Sequence, residues 1–131
     1  MTDTLTISRT EGRVLVFHLA GKLDGQTQGI LLEAARQAHE AAVRFLLFDL
    51  QNVGMITSAG LGALHNIYKL FTPAEEIEAW EKEKHGEPYK SPYFKLAGAS
   101  TNVYYVLNIA GFLHNIPIHP DMDGALKSFS A

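Results

Sequence analysis

The side chains with chemistry to offer in this 131-residue chain are six histidines, fourteen carboxylates and one serine set among small residues. His18, His39, His65, His85, His114 and His119 show no His-Glu-x-x-His pattern or other close ligand spacing, so no metal site is expected. His18 alternates with apolar residues and reads as a satisfied, partly buried strand histidine. Cysteine is absent, which removes disulfides, thiolate zinc, iron–sulfur clusters and thiol catalysis, and fits a reducing cytoplasm. Gly60-Leu61-Gly62 lies at a helix start, but no Gly-x-x-x-x-Gly-Lys-Ser/Thr loop exists to cradle a nucleotide. Asp24 and Asp49 each follow an apolar strand run and are expected on one rim of a sheet, where open α/β folds bind ligands. A metal-assisted phosphoryl-transfer site there would want a cation at a neighbouring strand end, and Lys95 lies inside its strand. The simpler reading has Asp24 capping a helix and Asp49 capping a turn. Ser58 lacks a nucleophile elbow, because Ile56 stands where Gly-x-Ser-x-Gly needs its first glycine. Neither catalysis nor a cofactor is expected.

Ser58 has a different use. It falls between a strand-exit loop and a helix, in Met55-Ile56-Thr57-Ser58-Ala59-Gly60-Leu61-Gly62. A hydroxyl there can cap free backbone N–H groups, and the small residues at 59, 60 and 62 leave the helix start open to another protein. Phosphorylation would place about −1.5 to −2 charge and three acceptor oxygens at that point. The positive end of the helix accommodates such charge without refolding. The surface changes from small and neutral to bulky and anionic, which is the physics of an on/off docking site.

Several elements must position these residues. Leu5-Thr6-Ile7 alternates as a half-buried strand, and Glu11-Gly12-Arg13 turns the chain into Val14–Ala20, apolar on both faces as an interior strand is. Asp24 or Thr27 caps a helix whose apolar set is Leu31, Ala34, Ala35, Ala38 and Ala42. Phe45-Leu46-Leu47-Phe48 reads as a second interior strand, followed by a loop over 51–56. A helix then starts near Ser58 with the stripe Leu61, Leu64, Tyr68 and Phe71. Tyr93–Ala97 is a fourth strand. Ser100 opens a helix carrying Val103, Val106, Leu107 and Ala110, and Gly111 stops it. Ile116-Pro117-Ile118 reads as an edge strand, since Pro117 cannot donate to a ladder. Asp121 or Asp123 caps a last helix through Leu126 to Phe129. The order ββαβα(α)βαβα predicts an α/β fold. Its mixed sheet has one antiparallel edge hairpin and is otherwise parallel, packed with about four helices plus one inserted acidic helix.

The length suits one domain over residues 1–131, and the 47% apolar content excludes wholesale disorder. Met1-Thr2-Asp3-Thr4 is polar and is not read as a secretory signal, and no apolar run approaches the roughly 20 residues of a membrane span. A net charge of −3 argues against a nucleic-acid surface. That charge is local: residues 1–70 hold six basic and six acidic side chains, while residues 73–92 hold six glutamates against three lysines. Thr72-Pro73-Ala74-Glu75 has a capping-box pattern with proline at the first helical position. Glu78 and Lys82 stand at i,i+4, and Gly86 then Pro88 end the run. Residues 72–92 therefore read as an insertion. Trp80 either tucks onto the body or anchors a partner or dimer surface.

Three segments in register resemble one family. Gly21-Lys22-Leu23-Asp24 with Thr27 resembles the Gly-Glu-Leu-Asp loop of STAS domains, the bacterial anti-sigma-factor antagonists. Phe48-Asp49-Leu50 to Val53, then Ile56 to Gly62, is similar to their strand, loop and Asp-Ser-Ser/Ala/Thr-Gly-Leu-Gly helix start. Ser100 to Phe112, above all Val103, Leu107 and Ala110-Gly111-Phe112, is similar to their third helix. The resemblance runs over nearly the whole chain except residues 72–92. It implies a non-enzymatic, cytoplasmic partner-switching protein that binds a serine-kinase anti-sigma factor and frees the sigma factor. It also implies a metal-dependent protein phosphatase that resets the cycle. The phosphoacceptor it implies is Ser58, with Asp24, Thr57, Ala59, Gly60, Leu61 and Gly62 in the partner-binding surface. Thr57 replaces the family's aspartate and Ala59 a frequent second hydroxyl. The alternative is a STAS module without the switch, serving as a signalling scaffold or a transporter accessory subunit. Homodimerisation is left open.

Overall fold

Hydrophobic alternation and tight turns organise the first elements of the computed structural model, which describes residues 4–83, 86, 88–111 and 114–129. Met1-Thr2-Asp3, Lys84, His85, Glu87 and Phe112 lie outside the described residues. Strand β1 (Leu5–Thr10) pairs antiparallel with β2 (Val14–Leu23), from Leu5 opposite Gly21 to Thr10 opposite Val16. Gly21 is obligatory there. Its φ is 118°, and a Cβ would come within 2.1 Å of the Thr4 carbonyl oxygen.

From β2 onward every ladder is parallel. Helix α1 (Gln28–Glu40) leads to β3 (Phe45–Ile56), α2 (Ser58–Phe71) and α3 (Ala74–Glu83) lead to β4 (Phe94–Ala97), and α4 (Thr101–Ile109) leads to β5 (Ile118–His119). Helix α5 (Met122–Ser128) follows β5, and the sheet order is β1-β2-β3-β4-β5. Parallel crossovers that step the same way along a sheet lay their helices on one face. The main core has that composition. Leu15, Phe17 and Leu19 of β2 and Leu46, Phe48 and Leu50 of β3 join Leu31 and Ala35 of α1, Leu64 and Ile67 of α2, and Val103 and Leu107 of α4. Phe17 stacks on Phe48 with centroids 5.5 Å apart, and Phe94 meets Phe48 edge-on at 4.8 Å. A smaller core on the other face holds Val16, Leu47 and Ala97 against Ala125 and Phe129 from α5 and its end.

The expected fold class and element order stand, with local corrections. The 51–56 stretch is not a loop. It continues β3, because Asn52 to Ile56 pair with Ala20 to Leu23, after one register shift past His18 and across a second between Gly21 and Lys22. Thr27 stands at the N-cap of α1 without a side-chain cap bond, and Ala42 lies beyond the helix at φ 69°. Asp121 caps α5, its Oδ1 accepting from Gly124 N at 2.7 Å. Gly111, at φ 79°, follows α4 as expected. β5 begins one residue past Pro117, whose carbonyl accepts from Leu96 N at 3.0 Å.

The connection between α2 and β4 is tied at both ends. The capping-box expectation for Thr72 gives way to a buried hydrogen bond between its hydroxyl and that of Ser91, 2.8 Å long. Between those ends α3 buries no residue fully. It attaches through Ile77, packed against the main core, and through Glu76, which accepts the hydroxyls of Tyr89 at 3.0 Å and Tyr93 at 2.7 Å. Among the described residues no ion pair joins Glu78 to Lys82.

Candidate functional site

At the end of β3 the chain turns into α2 within one residue. Thr57 is extended, and its N–H donates to the Leu23 carbonyl at 3.0 Å, which fastens the turn to the end of β2. Its side-chain oxygen accepts from Gly60 N at 3.4 Å, and its carbonyl accepts from Leu61 N at 2.8 Å. The helix cap expected of Ser58 is therefore made by Thr57. Ser58 is the first residue of the helix, exposed, with a hydroxyl that has no partner among the described residues. A threonine one residue earlier does the capping because it alone has extended backbone at the helix edge.

Gly60 explains how α2 sits so close to β2. A Cβ at that position would lie 2.4 Å from the Leu23 carbonyl oxygen. Gly60, expected in the partner-binding surface, is buried and acts through close packing of α2 onto β2. Gly62 is exposed with open space around it, while Thr57, Ala59 and Leu61 are half-exposed. Among the expected site residues, then, Ser58 and Gly62 are the most accessible.

The turn after β2 lies beside this helix start. A Cβ on Gly25 would be 3.8 Å from the Ala59 Cβ. Asp24 shapes that turn: its Oδ1 accepts from Gln26 N at 2.9 Å and from Thr27 N at 3.1 Å. The buried Thr27 hydroxyl donates to the Lys22 carbonyl at 2.8 Å and accepts from Asp24 N at 3.0 Å. Oδ2 of Asp24 has no partner among the described residues. Asp24, Thr57, Ser58, Ala59 and Leu61 thus share one end of the molecule.

One neighbour of this surface escaped the sequence reading. Met55 is 45% exposed, and Gly54, Met55 and Ile56 border a cleft of about 120 Å³ with Asn102, Val103 and Val106 of α4. An unusual apolar residue in the supposed 51–56 loop was the signal. Beside Ser58 the surface is therefore partly apolar.

Asp49 belongs elsewhere. The shared rim expected for Asp24 and Asp49 fails because β3 runs seven residues past Asp49, about 20 Å further along the strand. Asp49 pairs across the ladder with His18 and Ala97. Its Oδ2 lies 2.8 Å from His18 Nδ1, and its Oδ1 accepts from Gln51 N at 3.0 Å. His18 Nε2 in turn meets the Thr10 hydroxyl at 2.8 Å. His18 is the satisfied strand histidine its sequence position foretold. Lys95 lies inside β4, where burial pushes its ammonium below the ordinary lysine range and Ser128 accepts from it at 2.8 Å through Oγ. Among the described residues no three histidines or carboxylates converge to hold a metal.

The fold and this sequence can be set against known proteins. An anti-sigma factor antagonist from Mycobacterium paratuberculosis is 22% identical and superposes with a TM-score of 0.74, over 97% of this chain and 95% of that one. A STAS-domain protein from Planctomyces limnophilus is 20% identical with a TM-score of 0.65, covering 95% of this chain and 98% of the other. The phosphorylated form of the Bacillus cell fate determinant SpoIIAA is 14% identical with a TM-score of 0.57, covering 94% and 96%. At such identities the likeness establishes the fold. The curated proteins contain no match. The family model of the STAS domain matches residues 6–76. Matched by that model over more than half its length, and carrying its sheet and helices in the arrangement of those structures, the chain belongs to the STAS domain family.

Proposed function

We propose that this protein is an anti-sigma-factor antagonist that switches partners through phosphorylation of Ser58. The observation that carries this reading is the division of labour at the start of α2. Thr57 takes the structural task of capping, so the Ser58 hydroxyl stays exposed and without a partner among the described residues. Of the N–H groups there, Gly60 is bonded to Thr57 Oγ1, while those of Ser58 and Ala59 have no acceptor among the described residues. A phosphate on Ser58 would meet those donors and the positive end of a 14-residue helix. That environment tolerates the modification without disturbing the core.

In the unmodified state the small surface of Ser58, Ala59, Leu61 and Gly62, with Met55 and Asp24 beside it, binds a serine-kinase anti-sigma factor. In the modified state the new charge repels that partner, and a protein phosphatase restores the first state. The protein acts by binding, not by catalysis, in the cytoplasm of a bacterium. No described helix is long and apolar enough to cross a membrane.

A second reading has one observation in its favour. Thr57 supplies the cap without the negative charge that the family's aspartate brings, which suits a STAS module that binds without a switch. A pull-down with wild-type, Ser58→Ala and Ser58→Asp proteins separates the two. The switch predicts capture of the kinase partner by wild type and Ser58→Ala and loss of it with Ser58→Asp. Equal capture by all three would move the protein to the scaffold or transporter-subunit class.

A further inference from the structure

Helix α4 reads Thr-Asn-Val-Tyr-Tyr-Val-Leu-Asn-Ile and has no charged side chain, although much of it faces solvent. Helix α1 shows the usual pattern instead, its outer face carrying Arg36 ion-paired to Glu33 and Glu40. On α4, Tyr105 is 63% exposed and Ile109 67%, the two most open large apolar side chains among the described residues. Asn102, Tyr105, Val106 and Ile109 stand at i, i+3, i+4 and i+7 and form one stripe, while Val103 and Leu107 face the core. Loss of charge with tyrosine in its place is the composition of the centre of a protein interface.

A cleft joins this stripe to the Ser58 surface. The ladder between β3 and β4 ends where Asp49 faces Ala97, so β3 runs on past the end of β4 with α4 beside it. Gly54, Met55 and Ile56 form one wall of the cleft there, and Asn102, Val103 and Val106 form the other. Met55 stands three residues before Ser58, about 10 Å along the strand direction. The walls are apolar apart from Asn102 and carry no charge, so the cleft suits an aliphatic side chain.

Area decides what covers the stripe. A stable complex buries about 800 Å² on each partner. Ser58, Ala59 and Gly62 are small and Gly60 is buried, so the start of α2 supplies little of that. A partner seated on Ser58 has to spread, and Met55 with the stripe is the adjoining apolar surface. We propose that the partner that reads Ser58 also covers the Tyr105–Val106–Ile109 stripe of α4 and inserts an aliphatic side chain between Met55 and Val106. The identity of that partner rests on the Ser58 reading. The stripe supplies affinity that is independent of the hydroxyl, while charge at Ser58 decides by repulsion whether the surface closes.

The test is calorimetry of the full chain with each purified serine kinase of the anti-sigma type from the same genome. Tyr105→Ser is expected to raise Kd at least about tenfold, with circular dichroism and melting unchanged from wild type. Ile109→Ser weakens binding in the same direction, and both effects persist in the Ser58→Ala background. Leu126→Ser, on α5 across the sheet, leaves Kd unchanged. In the complex the methyl resonances of Met55 and Val106 shift, while those of Leu126 stay in place. Equal binding by wild type and Tyr105→Ser would overturn the proposal. So would unmoved Met55 and Val106 methyls in the complex, equal weakening by Leu126→Ser, or a dimer of this chain that Tyr105→Ser disperses. A Kd raised by Tyr105→Ser but untouched by Ser58→Asp would keep the stripe and remove the switch, and the reverse result would remove the stripe and keep the switch. Binding of none of these kinases would remove both.

Discussion

Two neighbouring residues carry separate duties at the start of α2, and substitution distinguishes them. Thr57→Ala removes the cap to Gly60 and is expected to cost about 1 kcal/mol in urea unfolding. Thr57→Asp restores both the cap and the family's acid, so its stability should stay within about 0.5 kcal/mol of wild type. Ser58→Ala removes no side-chain hydrogen bond among the described residues and should be neutral in the same assay. Gly60→Ala drives a methyl against the Leu23 carbonyl and is expected to cost about 2 kcal/mol or more. The run of hydroxyls and small residues points to this turn, but by type alone it assigns the cap to Ser58, whereas Thr57 makes it. Two adjacent hydroxyls present the same type signal, and only the extended backbone of Thr57 separates them. Asp24 and Asp49 show the converse. Both follow apolar runs, yet Asp49 is mid-strand because β2 supplies pairing partners well beyond it.

At the scale of elements, β3 shows where local pattern loses to tertiary pairing. Gln51, Asn52 and Gly54 have little strand propensity and are exposed, so the run looked finished at Phe48. The long connection between α2 and β4 was legible as an acidic helix from its charge and proline, whereas its fastening was not. The tie between Thr72 and Ser91 joins residues 19 positions apart, and the bonds from Tyr89 and Tyr93 to Glu76 span 13 and 17. Those phenols give a pH prediction. Burial, together with Glu76, raises the Tyr89 hydroxyl far above the ordinary tyrosine range, and the Glu76 hydrogen bond first, then burial, raises that of Tyr93. Above about pH 10 the unfolded chain loses these protons while the folded chain keeps them. The native state then binds more protons, so stability falls as pH rises. The urea midpoint should drop between about pH 9 and pH 11, and the drop should be shallower in Tyr89→Phe/Tyr93→Phe.

For the whole molecule, three crossovers stepping one way build a thick core on one face of the sheet and leave the other to α5. Phe48 is the centre of the thick side, fully buried between Phe17 and Phe94. Phe48→Ala should cost about 3–5 kcal/mol, a large share of the 5–15 kcal/mol typical of a domain. The alternation of strand and helix signals made this layout readable in advance, since parallel connections have essentially one handedness. The central claim is that Ser58 accepts phosphate. The direct measurement is incubation of the wild-type and Ser58→Ala proteins with ATP and each serine kinase of the anti-sigma type from the same genome, followed by mass mapping of the peptides. One phosphate on the Ser58 peptide of the wild type, absent from the variant, is the predicted result. No phosphate on Ser58 with any of these kinases, or equal labelling of both proteins elsewhere, would contradict it.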